Sequence, residues 1–261
     1  MSKHAVLAFA LLAASACKAP EEGHMKVIIG AVLMDGQGGP PLTNSVVVIS
    51  GNQIRAAGPA SAIPIPAEAD KIDGSGRFLM PALVEVAPNI QGQDEGALTK
   101  AREARQPAIG RIATLAEAEW LVEHGASGLV GMIRDTETLD PDFVARLRDL
   151  RITVAPALAA GGANPEIAKR NTLRLFQAGV PIALASGVDP QREMEMLVDS
   201  GIPPLDAIVA GTRNGAAALQ DAQRGTVQAG KLANLLLLSA HPGEDIRNLS
   251  RVALRISGGT F

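Results

Sequence analysis

The pattern of apolar and polar positions changes along the chain, and its first part indicates strands. Two β-branched runs at 26–35 and 45–50 are followed by further strand-like segments at 53–58 and 71–80, and breakers, including the pair Gly51-Asn52, separate them. Runs of this kind, bounded by glycine, proline and asparagine, are typical of strands that are joined by tight turns. The pattern predicts a small antiparallel β unit near the N-terminus.

The central part alternates between apolar strands and amphipathic helices. The five apolar segments are 82–87, 108–113, 128–133, 152–159 and 181–186. Between them, Asp140-Pro141 and Asn164-Pro165 are helix-start signals, and Gly179 is a helix-stop signal. Near-continuous apolar strands that alternate with helices indicate a parallel sheet covered by helices.

The C-terminal part returns to a strand pattern, at 225–240 and 252–259. Strands at both ends predict one composite β domain, formed by residues 26–80 and 222–261, around a central (β/α) domain at 81–221. The predicted fold class is therefore α/β. It combines a truncated (β/α) barrel-like parallel sheet with a small composite β domain built from both chain ends.

Residues 1–17 have the layout of a secretory signal. A basic residue precedes an apolar run at 5–14, which is too short to span a membrane by itself. Small residues directly before Cys17 resemble the lipobox of bacterial lipoproteins, whose cysteine receives a diacylglyceryl group. Ordinary cleavage after Ala16 is the alternative. We expect lipidation at Cys17, followed by a polar tether at 18–25.

This N-terminus also predicts a location. Lys18 rather than an aspartate follows Cys17, and in Gram-negative lipoprotein sorting this resembles an outer-membrane address. Three acyl chains exceed the two that stable anchoring requires. We therefore expect an exported protein on the periplasmic side of the cell envelope, lipid-anchored at the outer membrane through Cys17.

Composition excludes several functions. The chain has 261 residues, 47% of them hydrophobic, and a formal net charge of -3. This charge and an aromatic content of 2% argue against a nucleic-acid partner. Cys17 is the only cysteine, so neither an intramolecular disulfide nor a cysteine-based zinc site can form within the chain.

A set of longer segments carries a combined family pattern. They are VLMDGQGGPPLTNSVVVISGNQIRAAGP at 32–59, IDGSGRFLMPALVE at 72–85, GLVGMIRD at 128–135, GVPIALAS at 179–186, and the C-terminal segments 193–219 and 225–248. Taken together they resemble the amidohydrolase superfamily, in particular its imidazolonepropionase-like metal-dependent hydrolases. The resemblance implies a (β/α) barrel in which one or two divalent metals activate water to hydrolyse C–N bonds of cyclic amides or peptide-like substrates.

The metal-ligand positions of that family are changed in this chain. The family's first strand ends in His-x-His, and here Ala87 and Asn89 stand at those positions. Arg111, Gly131 and Gly187 replace the fifth-strand histidine, the sixth-strand histidine and the eighth-strand aspartate. We predict that the family's divalent metal, such as zinc, is lost, that no cofactor is needed and that no catalytic residue remains.

Other polar residues are weak candidates for replacement ligands. The four histidines are His4, His24, His124 and His241, and no two of them have ligand spacing. Asp189, close to Gly187, lacks partner ligands. The carboxylates of Glu85, Asp135 and Asp189 could gather at strand ends for acid–base chemistry. For Asp135, the alternative is an ion pair with Arg134 that has only a structural role.

The central domain is short for a barrel. Residues 82–219 number 138, whereas eight strand–helix units need about 250 residues. The length allows four or five units, with the family's strands two to four compressed into 91–107. A five-stranded remnant would have two unpaired edges, which predicts self-association or pairing with a full-length relative.

Two functions are consistent with these observations. The first is an exported amidohydrolase-like pseudoenzyme that serves as a binding or scaffold lipoprotein. The alternative is a residual hydrolase that acts on non-peptide C–N bonds with an unconventional or partner-completed site. A decayed gene fragment is a third possibility, so enzyme activity is left open at this stage.

Overall fold

The computed structural model describes residues 25–261. The predicted signal sequence, Cys17 and nearly all of the predicted tether lie outside the described residues, and Met25 already belongs to the first strand. In the described part, no helix is both long and apolar enough to cross a membrane.

The strands and helices are defined here in chain order. The strands are β1 (Met25–Leu33), β2 (Leu42–Ser50), β3 (Gln53–Pro59), β4 (Asp70–Asp73), β5 (Phe78–Pro81), β6 (Glu85–Val86), β7 (Ile109–Arg111), β8 (Gly128–Val130), β9 (Thr153–Ala155), β10 (Leu184–Ala185), β11 (Leu235–Leu238) and β12 (Val252–Ile256). The helices are α1 (Glu95–Glu103), α2 (Leu115–Glu123), α3 (Pro141–Asp149), α4 (Pro165–Gln177), α5 (Pro190–Asp199), α6 (Pro204–Val209) and α7 (Gly215–Ala218). A π-helical turn, Ala210–Asn214, joins α6 to α7.

One seven-stranded sheet contains strands from both ends of the described chain. Its order is β12-β11-β5-β1-β2-β3, with β4 also paired to β1. The β1-β2-β3 part is antiparallel and turns at Gly51-Asn52, as predicted. However, β4 and β5 pair with β1 in parallel, so a wholly antiparallel N-terminal unit is wrong. The reason is that the segment 60–69 returns the chain to the start of β1 before it runs forward again.

The central strands are parallel, and each has a paired neighbour on both sides. β7, β8 and β9 pair in that order, and β10 pairs with β6. Single bridges complete the succession: Ile90, just beyond β6, pairs with Gly110, and Val154 pairs with Ile182, just before β10. The open edges expected for a five-stranded remnant are therefore not observed among these strands.

The two faces of these strands carry different side chains. Outward residues such as Leu129, Val154 and Leu184 join a large core with the helices. The opposite face forms a separate buried cluster, whose members are Val86, Ile109, Val130, Ala155, Ala157, Ala183, Ala185 and Ala218. Successive residues of a strand point to opposite faces, which explains the division. The short alanine side chains let the five strands approach one another on this inner face.

A single short helix connects β6 to β7. Within 91–107, α1 begins after Asp94, whose carboxylate accepts the backbone N–H of Ala97 at 2.9 Å. Leu98 and Ala101 are buried against the large core. One helix therefore fills the space for which the family resemblance implies three further strand–helix units.

The alanine-rich inner face generates a stability prediction. Ala155→Leu adds three carbon atoms where Ala155 is fully buried, so we expect the free energy of unfolding to fall by about 1–3 kcal/mol from overpacking. Chemical denaturation measures this change. Ala229→Leu, at an exposed position, is the matched control and should have little effect. Equal effects of the two substitutions would contradict a close-packed inner face.

Candidate functional site

The residues at the family's ligand positions belong to the parallel strands and the loops that follow them. Arg111 ends β7, Gly131 directly follows β8, and Gly187 follows β10. Ala87 and Asn89 follow β6, but Asn89 lies beside the start of β7 rather than beside its carboxyl end. The sequence predicts that all five are degenerate ligand positions, and their contacts explain what they do instead.

Asn89 links β6 to β7 through its side chain. Its Nδ2 donates to the Pro107 carbonyl at 2.8 Å, and its Oδ1 accepts the Ile109 N–H at 2.8 Å. Its backbone N–H also donates to the Ile109 carbonyl at 2.9 Å. The amide therefore occupies the place of regular strand pairing, and both of its polar atoms already have protein partners.

Gly131 has a backbone that excludes a side chain. Its φ is +107°, in the region that favours glycine, and its N–H donates to the Ala155 carbonyl at 2.8 Å. A Cβ built on this residue would lie 2.1 Å from the carbonyl oxygen of Ile112. A histidine at this position would therefore collide with the neighbouring strand, whichever rotamer it adopted.

The remaining ligand positions supply no suitable donor. Ala87 has no polar side-chain atom, and the side chain of Arg111 is an exposed cation without a hydrogen bond or ion pair in the described part of the chain. Gly187 has a φ of +80° and open space where a side chain would project. A catalytic zinc site needs about three nitrogen, oxygen or sulfur ligands from the protein. The residues at these positions do not fit the metal that the resemblance implies.

The described residues also lack a substitute metal cluster. Within 25–261, no group of three or more histidine, cysteine, aspartate or glutamate side chains is placed to hold an ion. His124 Nδ1 lies 2.8 Å from the Trp120 carbonyl oxygen, and its ring stacks on Trp120. His241 accepts the Gly243 N–H at 2.9 Å and lies against Phe78. His4 and His24 lie outside the described residues.

Two of the three candidate acid–base carboxylates serve as caps for helix N-termini. Asp135 accepts the Leu115 N–H of α2 at 2.9 Å, and Asp189 accepts the Arg192 N–H of α5 at 2.8 Å. Glu85, the third, is exposed on β6. Asp135 and Asp189 therefore stabilise local structure, which is a common role for a carboxylate at a helix start.

The expected pair between Arg134 and Asp135 is not formed. Arg134 instead donates to the carbonyls of Ala157 and Ala163, at 3.4 and 3.3 Å, in the loop that follows β9. The Asn164 side chain returns a bond to the Arg134 carbonyl at 2.8 Å. The loops after β8 and β9 are thus tied to each other.

Glu193 was missed in the sequence, and it is the most deeply buried acid in this region. It is fully buried on α5, and its two carboxylate oxygens accept the N–H groups of Leu158 and Ala159 at 2.9 and 2.6 Å. Burial raises the pKa of this carboxyl and outweighs the opposing effects of these donors and of Arg134. The sequence did contain a signal for this buried acid. Glu193 directly precedes Met194, and both are on the buried side of an amphipathic helix.

Asn171 completes the same network from α4. It is fully buried, and its Nδ2 donates to the carbonyls of Ile133 and Thr136 at 3.0 and 2.9 Å. Its Oδ1 is buried without a hydrogen-bond partner. The polar groups near the carboxyl ends of β8 and β9 therefore hold loops, and none of them forms an acid–base pair with another.

Comparison with solved structures identifies the fold. A. niger ochratoxinase superposes with a TM-score of 0.80 at 14% identity, covering 91% of this chain and 95% of that chain. Molinate hydrolase gives 0.75 at 15% identity, covering 91% and 94%. An amidohydrolase gives 0.77 at 11% identity, covering 90% and 98%.

The chain has the fold of the amidohydrolase superfamily. No protein-family model matches the sequence, and comparison with characterised proteins finds no match at the sequence level. The resemblance found in the sequence is thus confirmed for the fold. At the positions where the resemblance implies metal ligands, this chain has Ala87, Asn89, Arg111, Gly131 and Gly187, and the polar side-chain atoms of Asn89 are bound to backbone groups.

The buried Glu193 generates a prediction about pH. Because its folded pKa is raised, its contribution to stability is complete below the unfolded pKa and is lost as pH rises through the folded pKa. Glu193→Gln removes this titration. We therefore expect the wild type to lose stability relative to the variant as pH rises across that window.

Denaturant unfolding at a series of pH values measures the difference. Glu195→Gln makes the same substitution at a partly exposed position on the same helix and is the matched control. If the wild type instead became more stable relative to Glu193→Gln as pH rises, the raised pKa of Glu193 would be contradicted.

Proposed function

We propose that this chain is a non-catalytic protein with an amidohydrolase fold, which binds a ligand or partner instead of hydrolysing a substrate. The observation that carries the proposal is Gly131. A missing histidine can in principle be restored by one substitution, but here the Ile112 carbonyl fills the space that its Cβ would need. The strand geometry itself has departed from what a metal ligand requires.

The engagement of Asn89 supports the same conclusion. A metal ligand must direct a lone pair at the ion, and the supporting groups around it must hold it in that orientation. Asn89 instead uses its oxygen and nitrogen to bind Ile109 and Pro107. Replacing Asn89 by a ligand would remove the two side-chain hydrogen bonds that help to connect β6 to β7.

The alternative is a residual hydrolase whose site is completed by another chain. The solved structures that share the fold include proteins named as molinate hydrolase, ochratoxinase and Xaa-Pro dipeptidase. Open space at Gly187 and the unpaired cation of Arg111 favour this alternative, because a second chain could approach there. Such an enzyme would act on a C–N bond of an amide or peptide-like substrate.

Metal restoration tests the two functions. We expect the full chain to contain no stoichiometric zinc, manganese or iron and to leave N-acyl amino acids, Xaa-Pro dipeptides and cyclic amides unhydrolysed. The double variant Ala87→His/Asn89→His should also show no turnover. It should be less stable, because each backbone group left unpaired costs about 1–3 kcal/mol. Elemental analysis, product chromatography and thermal unfolding provide the measurements.

A control separates the effect of changing Ala87 and Asn89 from a general effect of introducing two histidines. Asn52→His/Ala229→His places the same residue type at exposed positions and should keep the wild-type stability. Stoichiometric metal in the wild type, or metal-dependent hydrolysis by the Ala87→His/Asn89→His variant, would establish the hydrolase instead.

The proposed organisation is a shortened barrel with a composite β domain. The cyclic succession of pairings through β6, β7, β8, β9 and β10 supports the barrel. The pairing of β5 with β11 supports a domain formed by residues 26–80 and 222–261 around 81–221. Self-association, or pairing with a full-length relative, stays a prediction, although it no longer has unpaired barrel edges as its reason.

The proposed location is the periplasmic side of the outer membrane, with a lipid on Cys17. Growth with labelled fatty acid should label the wild type and a Ser15→Ala control, and the label should disappear in Cys17→Ser, since the thiol is the acceptor. Membrane fractionation should place the labelled protein with the outer membrane. Equal labelling of the wild type and Cys17→Ser would contradict lipidation at this residue.

A further inference from the structure

A cavity that none of the family's ligand positions lines has an unusual set of charges. It has a volume of about 420 Å³ and lies between the loop after β1, the end of α7 and the segment 220–231. Arg213, Arg224 and Lys231 line it, and Asp221 is the only carboxylate among its lining residues. Three cations therefore meet one anion, in a chain whose net charge is -3.

Each of these cations is held in place by a neighbouring acceptor. Arg213 Nη1 donates to the Gln37 carbonyl at 2.8 Å. Arg224 Nε donates to Asp221 Oδ2, and Lys231 Nζ donates to the Ala222 carbonyl. Preorganised side chains lose little conformational freedom when a ligand binds, so these contacts favour binding.

Most of the donors on these cations stay available. A guanidinium has five N–H groups and an ammonium has three, and the contacts above use one group of each side chain. The pair between Arg224 and Asp221 neutralises one positive charge, whereas Arg213 and Lys231 are bound only by neutral carbonyls. The cavity therefore has an excess of two positive charges and free N–H donors with which to bind an oxyanion.

The other polar lining groups are neutral. Gln37, Gln220 and Gln228 contribute amides, and Thr226 donates its hydroxyl to the Gln228 side-chain oxygen at 2.8 Å. That bond orients the Gln228 amide and leaves its NH₂ group free to donate. Amides of this kind can form hydrogen bonds with hydroxyl or carbonyl groups of an organic molecule.

A second cavity extends the positive region. It has a volume of about 820 Å³, shares Arg213 and Ala217 with the first, and is also lined by Arg148 and Arg151. Asp149, which pairs with Arg148 at 2.8 Å, is its only lining carboxylate. Arg151 has no ion pair among the residues that the structure describes. The positive charge thus continues beyond the first cavity.

The larger cavity lies beside the amino ends of β9 and β10. Thr153, at the start of β9, and Pro181, before β10, line the larger cavity. We propose that the smaller cavity binds a small organic anion, with a phosphate or carboxylate group contacted by Arg213 and Lys231 and hydroxyl groups contacted by the glutamines. This site is independent of the loss of metal chemistry, because no ligand position contributes to it.

Direct titration tests the site. The full chain, purified in detergent at low ionic strength, is titrated calorimetrically with glucose 6-phosphate, citrate and inorganic phosphate, with glucose as the neutral control. We expect the organic anions to bind, glucose not to bind, and affinity to fall with salt. Arg213→Gln/Lys231→Gln should weaken binding by at least about tenfold, since hydrogen bonds to charged groups are strong.

Two further variants keep the result interpretable. Arg55→Gln/Lys71→Gln removes the same charge from exposed positions on the seven-stranded sheet and should bind as the wild type does. Gln228→Glu places a carboxylate in the cavity and leaves the three cationic residues unchanged, so it should also weaken binding. This variant tests the site if Arg213→Gln/Lys231→Gln does not fold.

The outcomes distinguish an organic-anion site from nonspecific charge and from a membrane-binding surface. Absence of binding by every anion, or equal weakening by the Arg55/Lys71 control, would overturn the proposal. Binding to vesicles with anionic lipid headgroups, lost in Arg213→Gln/Lys231→Gln while the free anions fail to bind, would also overturn it by identifying a membrane surface. None of these results depends on whether the protein hydrolyses amides.

Discussion

The connection between β6 and β7 is the constraint on which the rest of the structure depends. Only residues 87–108 join the two strands, and β6 lies next to β7, although the resemblance implies intervening strands. The backbone groups of parallel strands need hydrogen-bond partners. Between β6 and β7 these are supplied by one bridge at Ile90 and by the side-chain amide of Asn89. The residue at a ligand position has thus become part of the sheet.

This close approach has consequences for the interior and for the loops. Five strands that pair in succession leave little room between them, and five of the eight residues of the described inner cluster are alanines. β8 must also come close to the loop after β7, where the Ile112 carbonyl occupies the space beside Gly131. A side chain at Gly131 would require a wider separation between these two segments.

The loops after β8 and β9 are held in place by buried polar groups. In a metal site, buried carboxylates are stabilised by the ion, whereas the buried Glu193 is stabilised by two backbone N–H groups and by the nearby Arg134. That arrangement fixes the turn at Leu158–Ala160 against α5. A buried acid with a raised pKa is a common mark of an active site, but here its hydrogen bonds are explained by loop structure.

Local features were predictable from the sequence, and long-range ones were not. Gly51-Asn52 marks a turn and Asp140-Pro141 marks a helix start, and both are where the pattern placed them. The parallel direction of β4 and β5 was missed because a period of two residues carries no information about strand direction. Likewise, Asn164 precedes α4, but its φ of 48° directs its side chain to Arg134 rather than to the helix.

The candidate site divides in the same way. Residue identities alone show that the family's histidines and aspartate are missing. The residues at those positions are Ala87, Asn89, Arg111, Gly131 and Gly187. The backbone of Gly131 and the bonds of Asn89 depend on residues about twenty positions away, at Ile112, Pro107 and Ile109. No local pattern records such contacts, so the sequence could indicate a loss of ligands but not that the geometry resists their return.

Net charge illustrates the same limit for the rest of the surface. A formal charge of -3 argued against anionic partners of the nucleic-acid kind. That argument applies to extended surfaces, because a long polyanion samples the average field of a protein. A small ligand instead samples the field inside one concave site, where low-dielectric walls strengthen nearby charges. Arg213 and Lys231 are eighteen residues apart in sequence, and the fold brings both to one cavity. An acidic protein can therefore carry a cationic site, and its presence is determined by packing between the sheet and the helices rather than by composition.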